Sequence, residues 1–429
     1  MMGLAIPRHP KTFSIVLLDY SGLTWIVKGL DAVYPMGREN ILMVPGPTNV
    51  PERVLKAMVR PLISHRGPEF RELYGRLLEN LKKVFQTGGD VYPLTASGTG
   101  GVECALGNLV SPGEPVITVH FGLFGERMRE AVVRLGGRPV EVASEWGEAP
   151  SLEQVKEALD LNPEARLITI VYNETSTGVV WRMLPELGRL ARSRDKILIV
   201  DAVSALAGEP LPVDQWNIDV CVAGSQKCLA CPPGLSLISV NERAYQALRE
   251  NKHRLFYFDL EAHRRFAERK ETPFTPAVPL FYALDEALQL LFEEGLENRI
   301  KRHAACAQAF YEAFDRVGLE TISKGSLRSN TLIAVWNPPR VDGDEMRRMA
   351  KEGFGVVIGG GAGKLKGKSF RIGSMGMVSL REVSLTLRAV FESLKKLNFS
   401  FKEKPERVLE EVEGKLEEAL RKLPKLRLS

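Results

Sequence analysis

Ile197-Leu198-Ile199-Val200-Asp201 and, further along, Ile218-Asp219-Val220-Cys221-Val222-Ala223-Gly224-Ser225-Gln226-Lys227 are the stretches whose reading decides the fold. Both are short, nearly continuous apolar runs, which is how strands covered on both faces read. The first closes on a carboxylate, and the second leads through a turn to a lysine. The flanking sequence repeats the pattern, with further candidate strands at 91–94, 116–119, 167–172, 219–223 and 235–240 and helical stretches between them. One of these, Leu152–Leu161, opens with Ser151 and Gln154 at capping-box spacing. Strands alternating with helices predict an α/β fold with a mostly parallel, doubly wound sheet.

Working outward, a chain of 429 residues is too long for one small core and suits a large α/β domain with a smaller one beside it. From about Leu284 a helical pattern (Ala287, Leu288, Leu290, Leu291, Leu296, Ile300) leads to strands near 331–336 and 369–372, read as a smaller α+β domain. The predicted division is 1–35 as an N-terminal extension, 36–285 as the large domain, 286–396 as the small domain and 397–429 as a charged tail. In that tail Val408, Val412, Leu416, Leu420 and Leu423 recur at helical spacing, which predicts an amphipathic helix docked on the body. Met36-Gly37-Arg38-Glu39-Asn40 reads as a natural start, so translation is expected to begin at Met36.

Composition excludes several classes. At 44% hydrophobic and 26% charged, the chain is neither disordered, collagen-like nor a membrane protein. A net charge of +5 is dilute, and its Lys and Arg residues are interleaved with Asp and Glu, so no nucleic-acid partner is implied. The apolar segment 13–27 is broken by Asp19 and Gly22, is too short to span a bilayer and lacks a cleavage pattern, which points to a cytoplasmic protein with no membrane partner. Five cysteines are too sparse for a disulfide framework. Cys228 and Cys231 form a CxxC, yet no second CxxC or HxxxH completes a zinc set, leaving a local disulfide or two packed thiols and no metal.

Two glycine-rich stretches compete as phosphate sites. Ser97-Gly98-Thr99-Gly100-Gly101 follows a predicted strand and precedes a helix over 102–109, so its N–H groups and hydroxyls converge at a helix N-terminus. Gly359-Gly360-Gly361-Ala362-Gly363-Lys364-Leu365-Lys366-Gly367-Lys368-Ser369 ends like an ATP-binding loop, but Ala362 stands where that pattern needs its first glycine and a strand follows where it needs a helix. It reads better as a mobile basic loop. Asp201 and Lys227 could be a helix cap and a solvated charge. Together, beside a phosphate turn, they also meet what pyridoxal 5'-phosphate requires: an amine to hold the aldehyde as a Schiff base and a buried carboxylate to keep the ring nitrogen protonated.

Taken jointly, Met43-Val44-Pro45-Gly46-Pro47-Thr48, Ser97-Gly98-Thr99-Gly100, Phe121-Gly122-Leu123-Phe124-Gly125-Glu126-Arg127, Glu174-Thr175-Ser176-Thr177-Gly178, Asp201-Ala202-Val203, Gly224-Ser225-Gln226-Lys227 and Phe370-Arg371-Ile372-Gly373 resemble a class V, fold-type I aminotransferase over about residues 40–395. The branch resembled contains the alanine-glyoxylate and serine-pyruvate aminotransferases. The resemblance implies that Lys227 carries the Schiff base and shuttles the Cα proton, and that Asp201 pairs with the ring nitrogen. It puts Phe124, where many relatives carry Trp, on one ring face and Val203 on the other. It assigns the phosphate to Ser97, Gly98, Thr99 and Gln226, and places the Thr175 hydroxyl near the ring. Arg371 would fix the substrate α-carboxylate, which a guanidinium can grip bidentately. Gly46 would approach the substrate, and His65 would border the pocket or sit in a turn.

The same resemblance implies a homodimer in which Thr275, from the second subunit, completes the phosphate site; Thr272 stands where relatives have Tyr. The implied reaction is ping-pong transamination of alanine or serine with glyoxylate or pyruvate. Aspartate, phosphoserine or 2-aminoethylphosphonate remain alternative donors. Cysteine desulfurases share the fold class and the lysine, but typically carry His before it, where Gln226 stands here, and a loop cysteine late in the chain, where only Cys306 in a helical pattern is found. A non-catalytic scaffold would have no use for the Lys227 and Asp201 pair.

Overall fold

The structure, a computed structural model, describes residues 40–251 and 255–424. The expectations for residues 1–35 and for Met36 as a start lie outside the described residues. In chain order the strands are β1 (Ile41–Met43), β2 (Asp90–Thr95), β3 (Pro115–His120), β4 (Arg138–Ala143), β5 (Leu167–Val171), β6 (Asn173–Glu174), β7 (Val179–Val180), β8 (Ile197–Asp201), β9 (Val220–Gly224), β10 (Leu235–Val240), β11 (Leu332–Trp336), β12 (Val356–Gly360) and β13 (Ser369–Gly373). Seven of them form one sheet in the order β2-β10-β9-β8-β5-β3-β4. Neighbours from β9 to β4 run parallel, while β10 is antiparallel to both β9 and β2. Two antiparallel steps restore direction, so β2 points the same way as the parallel set. The carboxyl ends of six strands therefore meet at one edge of the sheet, which is where open α/β sheets place their ligands.

Burial explains why these segments are strands. Every residue of β3, β5, β8, β9 and β10 is buried, because apolar clusters cover both faces of the sheet. The second sheet, in the order β1-β12-β13-β11, carries its own cluster, to which Phe310, Phe314 and Phe370 contribute. Helix Leu152–Leu161 begins with the expected capping box: the Gln154 N–H donates to Ser151 Oγ at 3.2 Å and the Ser151 N–H to Gln154 Oε1 at 2.8 Å.

The structure departs from the sequence reading at definite places. The long helical pattern from Leu284 is two helices, Val278–Glu294 and Leu296–Val317, because Gly295 has φ +86°. Gly359 and Gly360 belong to β12 and Gly363–Leu365 to a 3-10 turn, so half of the expected basic loop is regular structure. Helix Gly98–Leu109 starts four residues earlier than expected, directly after Ser97. Cys228 and Cys231 are free buried thiols, as are the other three cysteines, which removes the disulfide option. Helix Pro405–Arg421 buries Val408, Val412 and Leu416 in the cluster of the second sheet. It is further tied by Arg316 to Glu403 at 2.7 Å and to Glu411 at 2.8 Å. Among the described residues no helix is long and apolar enough to cross a membrane.

Candidate active site

A cavity of about 600 Å³ opens at the carboxyl edge of the large sheet. Ser97, Gly98 and Thr99 reach it from the end of β2, and Asp201 and Val203 from the end of β8. Gln226 and Lys227 reach it from the turn after β9, Phe124 from the helix after β3, and Thr175 from the turn after β6. Nine of the residues singled out from sequence thus line one space, although they come from five separate strand ends.

Lys227 projects at Pro45, whose carbonyl accepts from Nζ. Gly46 makes this possible: it has φ +105°, and a Cβ there would lie 2.6 Å from the lysine amine. Burial first, and the Arg371 cation after it, pull the Lys227 amine down to about 8, against the opposing pull of Cys228 and Asp201. The amine is thus close to losing its charge near neutral pH. Asp201 is 9% exposed, and its Oδ1 accepts the Val203 N–H at 2.8 Å. Burial pushes its carboxyl up to about 6; the Val203 hydrogen bond opposes the rise and the neighbouring Glu174 charge adds to it. A cationic ring nitrogen beside Asp201 would favour its ionised form.

Arg371 lies in β13, paired with Gly359 of β12. Its Nε donates to the Gly360 carbonyl at 2.8 Å and Nη1 to the Thr175 carbonyl at 3.0 Å. Those two bonds hold the guanidinium beside the cavity wall without neutralising it, and it takes part in no ion pair among the described residues. Burial lowers its pKa, partly offset by Glu174. A half-buried cation whose hydrogen-bond partners are all carbonyls keeps its charge free to pair with a carboxylate.

Thr275 and His65 are elsewhere. Thr275 Oγ1 sits 3.5 Å from His65 Nε2, and neither residue lines the cavity of its own chain. The Thr272 hydroxyl donates to the Phe274 carbonyl at 2.7 Å within its own loop. Sequence reasoning gave no role to Asn173, which lines the cavity and donates from Nδ2 to Ser204 and Thr331. It also passed over Arg127, whose guanidinium lies 5.2 Å from the Phe124 ring centre, and the buried Glu174, although that residue opened one of the quoted motifs.

The lining fits a flat, phosphorylated, cationic-ring cofactor. Ser97 Oγ caps Gly100 N at 3.3 Å, so the Gly98 and Thr99 N–H groups stand in a first helical turn that has no intrahelical acceptors for them. The Gln226 Oε1 is buried without a partner, on an amide that can turn its NH2 group towards an acceptor in the cavity. Phe124 and Val203 supply flat and apolar walls, and Asp201 is a buried carboxylate with one oxygen committed to Val203.

Comparison with known proteins agrees. The family described as aminotransferase class-V matches residues 41–392. The chain belongs to the class V aminotransferases. It is similar to an uncharacterized aminotransferase of Methanocaldococcus jannaschii, with 41% identity over 376 residues covering 87% of this chain and 97% of that protein. It is also similar to a serine–glyoxylate aminotransferase of Methylorubrum extorquens, at 38% identity covering 81% and 88%. Among solved structures, an alanine–glyoxylate aminotransferase from Nostoc sp. superposes with a TM-score of 0.80 at 31% identity, covering 86% of this chain and 100% of that one. This class V aminotransferase has the fold type I of pyridoxal phosphate enzymes, and pyridoxal phosphate is its cofactor.

Proposed function

We propose that this enzyme moves an amino group from a small L-amino acid, serine or alanine, to glyoxylate or pyruvate in two half-reactions, with Lys227 as the residue that binds the cofactor and moves the proton. The observation that carries the reading is Arg371, a half-buried guanidinium held by two carbonyls and left without a carboxylate partner among the described residues. A single such cation serves the α-carboxylate common to donor and acceptor, so one site can bind each in turn. Relatives named serine–glyoxylate and alanine–glyoxylate aminotransferases support the choice of substrates.

Bound pyridoxal phosphate supplies the electron sink that makes the substrate Cα–H acidic. Ser97, Gly98, Thr99 and Gln226 would hold its phosphate, and Phe124 and Val203 would hold its ring. Asp201 would keep a proton on the ring nitrogen. Arg371 would turn the substrate so that its Cα–H faces Lys227, and Lys227, with an amine near 8, would take that proton as general base and later give it up as general acid. The Pro45–Gly46 turn lies against the Lys227 amine. Thr275, which does not line the cavity of its own chain, completes the phosphate site of a second copy in a homodimer; mass measured in solution tests this, and a monomer with full activity would refute it.

A cysteine desulfurase reading finds no nucleophile. Cys306 is buried in helix Leu296–Val317, and burial pushes its thiol up to about 12. The function is tested by steady-state transamination with serine or alanine against glyoxylate or pyruvate. Turnover with aspartate or a phosphorylated donor in preference to all of these would overturn the assignment.

A further inference from the structure

We propose that Glu174 is a positioning residue that locks the cofactor-stacking Phe124 and the carboxylate-binding Arg371 into one rigid unit, an inference that rests on the roles given to those two residues above. Glu174 is a fully buried carboxylate, 0% exposed, at the end of β6. It has no ion pair among the described residues, and an unpaired buried carboxylate is costly unless its lone pairs are filled. They are filled by the site itself. Oε2 accepts the Phe124 and Gly125 N–H groups at 3.0 Å each. Oε1 accepts the Ser176 N–H at 3.0 Å and the Ser176 hydroxyl at 2.6 Å. Ser176 Oγ in turn accepts the Leu123 N–H at 3.0 Å.

Three consecutive N–H groups that open helix Leu123–Arg134 are thus served by the Glu174 and Ser176 pair, where the helix has no side-chain cap of its own. Gly122 lets the carboxylate come so close, since a Cβ there would overlap Glu174 Cγ and Cδ. On its other side Glu174 is bonded directly to Thr175, whose carbonyl receives Arg371 Nη1. One side chain therefore fixes the start of the Phe124 helix, and its neighbouring peptide fixes the guanidinium. The negative charge also acts on Arg371, raising its pKa against the effect of burial.

The test is Glu174→Gln in the holoenzyme, with Glu209→Gln as comparison. An amide replaces one acceptor oxygen by an NH2 group, so it cannot serve both the Phe124–Gly125 pair and the Ser176 N–H. The expected result is a rise of about tenfold or more in KM for both the amino donor and the oxo acid, equivalent to ~1.4 kcal/mol per tenfold, with a smaller fall in kcat. The visible circular dichroism of bound cofactor should weaken as Phe124 loses its register. Glu209, 1% exposed, bonds Arg182 and Asn330 and does not line the cavity. Glu209→Gln should lower the melting temperature and leave KM and dichroism unchanged. If Glu174→Gln does not fold, Ser176→Ala keeps the carboxylate but removes the Leu123 acceptor, and should shift KM in the same direction by a smaller factor. A lowered melting temperature with unchanged KM and dichroism in the folded variant would overturn the proposal. Lack of transamination by the unaltered protein would instead overturn the functional reading beneath it.

Discussion

Replacing Arg371 by lysine keeps the charge and removes the fork. In the structure Nε and Nη1 are committed to the Gly360 and Thr175 carbonyls, leaving the outer face of the guanidinium for a carboxylate. A lysine amine at this position has three donors on one atom, and cannot span two carbonyls on different elements while also meeting a carboxylate with two parallel bonds. At least one charge-assisted hydrogen bond to the substrate is lost, worth about 1.5–3 kcal/mol, which corresponds to a loss of roughly 10- to 150-fold in kcat/KM. Because donor and acceptor share the α-carboxylate, both half-reactions should lose by similar factors. Stopped-flow absorbance, following the bound cofactor first with L-serine and then with glyoxylate, measures the two separately. Cofactor affinity should change little, since among the residues assigned to the cofactor Arg371 hydrogen-bonds only Thr175, and that through its carbonyl, not its hydroxyl. If Arg371→Lys keeps both rates within twofold, or loses the cofactor rather than the substrate, the assignment of Arg371 is refuted.

Other outcomes follow from the same geometry. The rate at which cofactor-free protein captures pyridoxal phosphate should climb with pH and level off above about 8, because the neutral amine is the nucleophile and burial brings its titration down from 10.5; a rise that continues past pH 10 would refute a depressed Lys227. Asp201→Asn should retain cofactor yet lower kcat by roughly 10²–10⁴-fold, measured as turnover of cofactor-saturated protein, and near-normal kcat would remove Asp201 from the mechanism. Leu416→Ala, in the C-terminal helix, should cost about 2–5 kcal/mol of stability in denaturant unfolding while leaving KM unchanged. A neutral result there would mean that the helix is not part of the core.

Segments buried on both faces were legible in the sequence because their composition alone records their setting. Strands β8 and β10 end where the apolar runs end, and the helix over 152–161 is bounded by its own capping box. Strand β4 was not legible: at the sheet edge its pattern is mostly exposed or half-buried, and Arg138, Pro139 and Glu141 break the apolar signal. Two glycines hid the end of β12, and Gly295, inside an unbroken helical pattern, ends one helix and starts another. Cavity-lining residues carried by motifs could be named in advance, since the turns after strands keep them local. Glu174 could be seen but not given a role, because its partners at Phe124 and Gly125 lie 50 and 49 residues away and meet it only through the sheet order. Thr275 marks the other boundary, since its place in the chain's own fold is beside His65 and outside the cavity.

The experiment to do first is to record the visible absorption of the purified protein with pyridoxal phosphate, then after L-serine or L-alanine, then after glyoxylate. Loss of the yellow band with the amino acid and its return with glyoxylate, both abolished in Lys227→Ala, is the expected result. A protein that binds no cofactor at Lys227, or whose band ignores every small amino acid while responding to another donor class, would refute the proposed reaction.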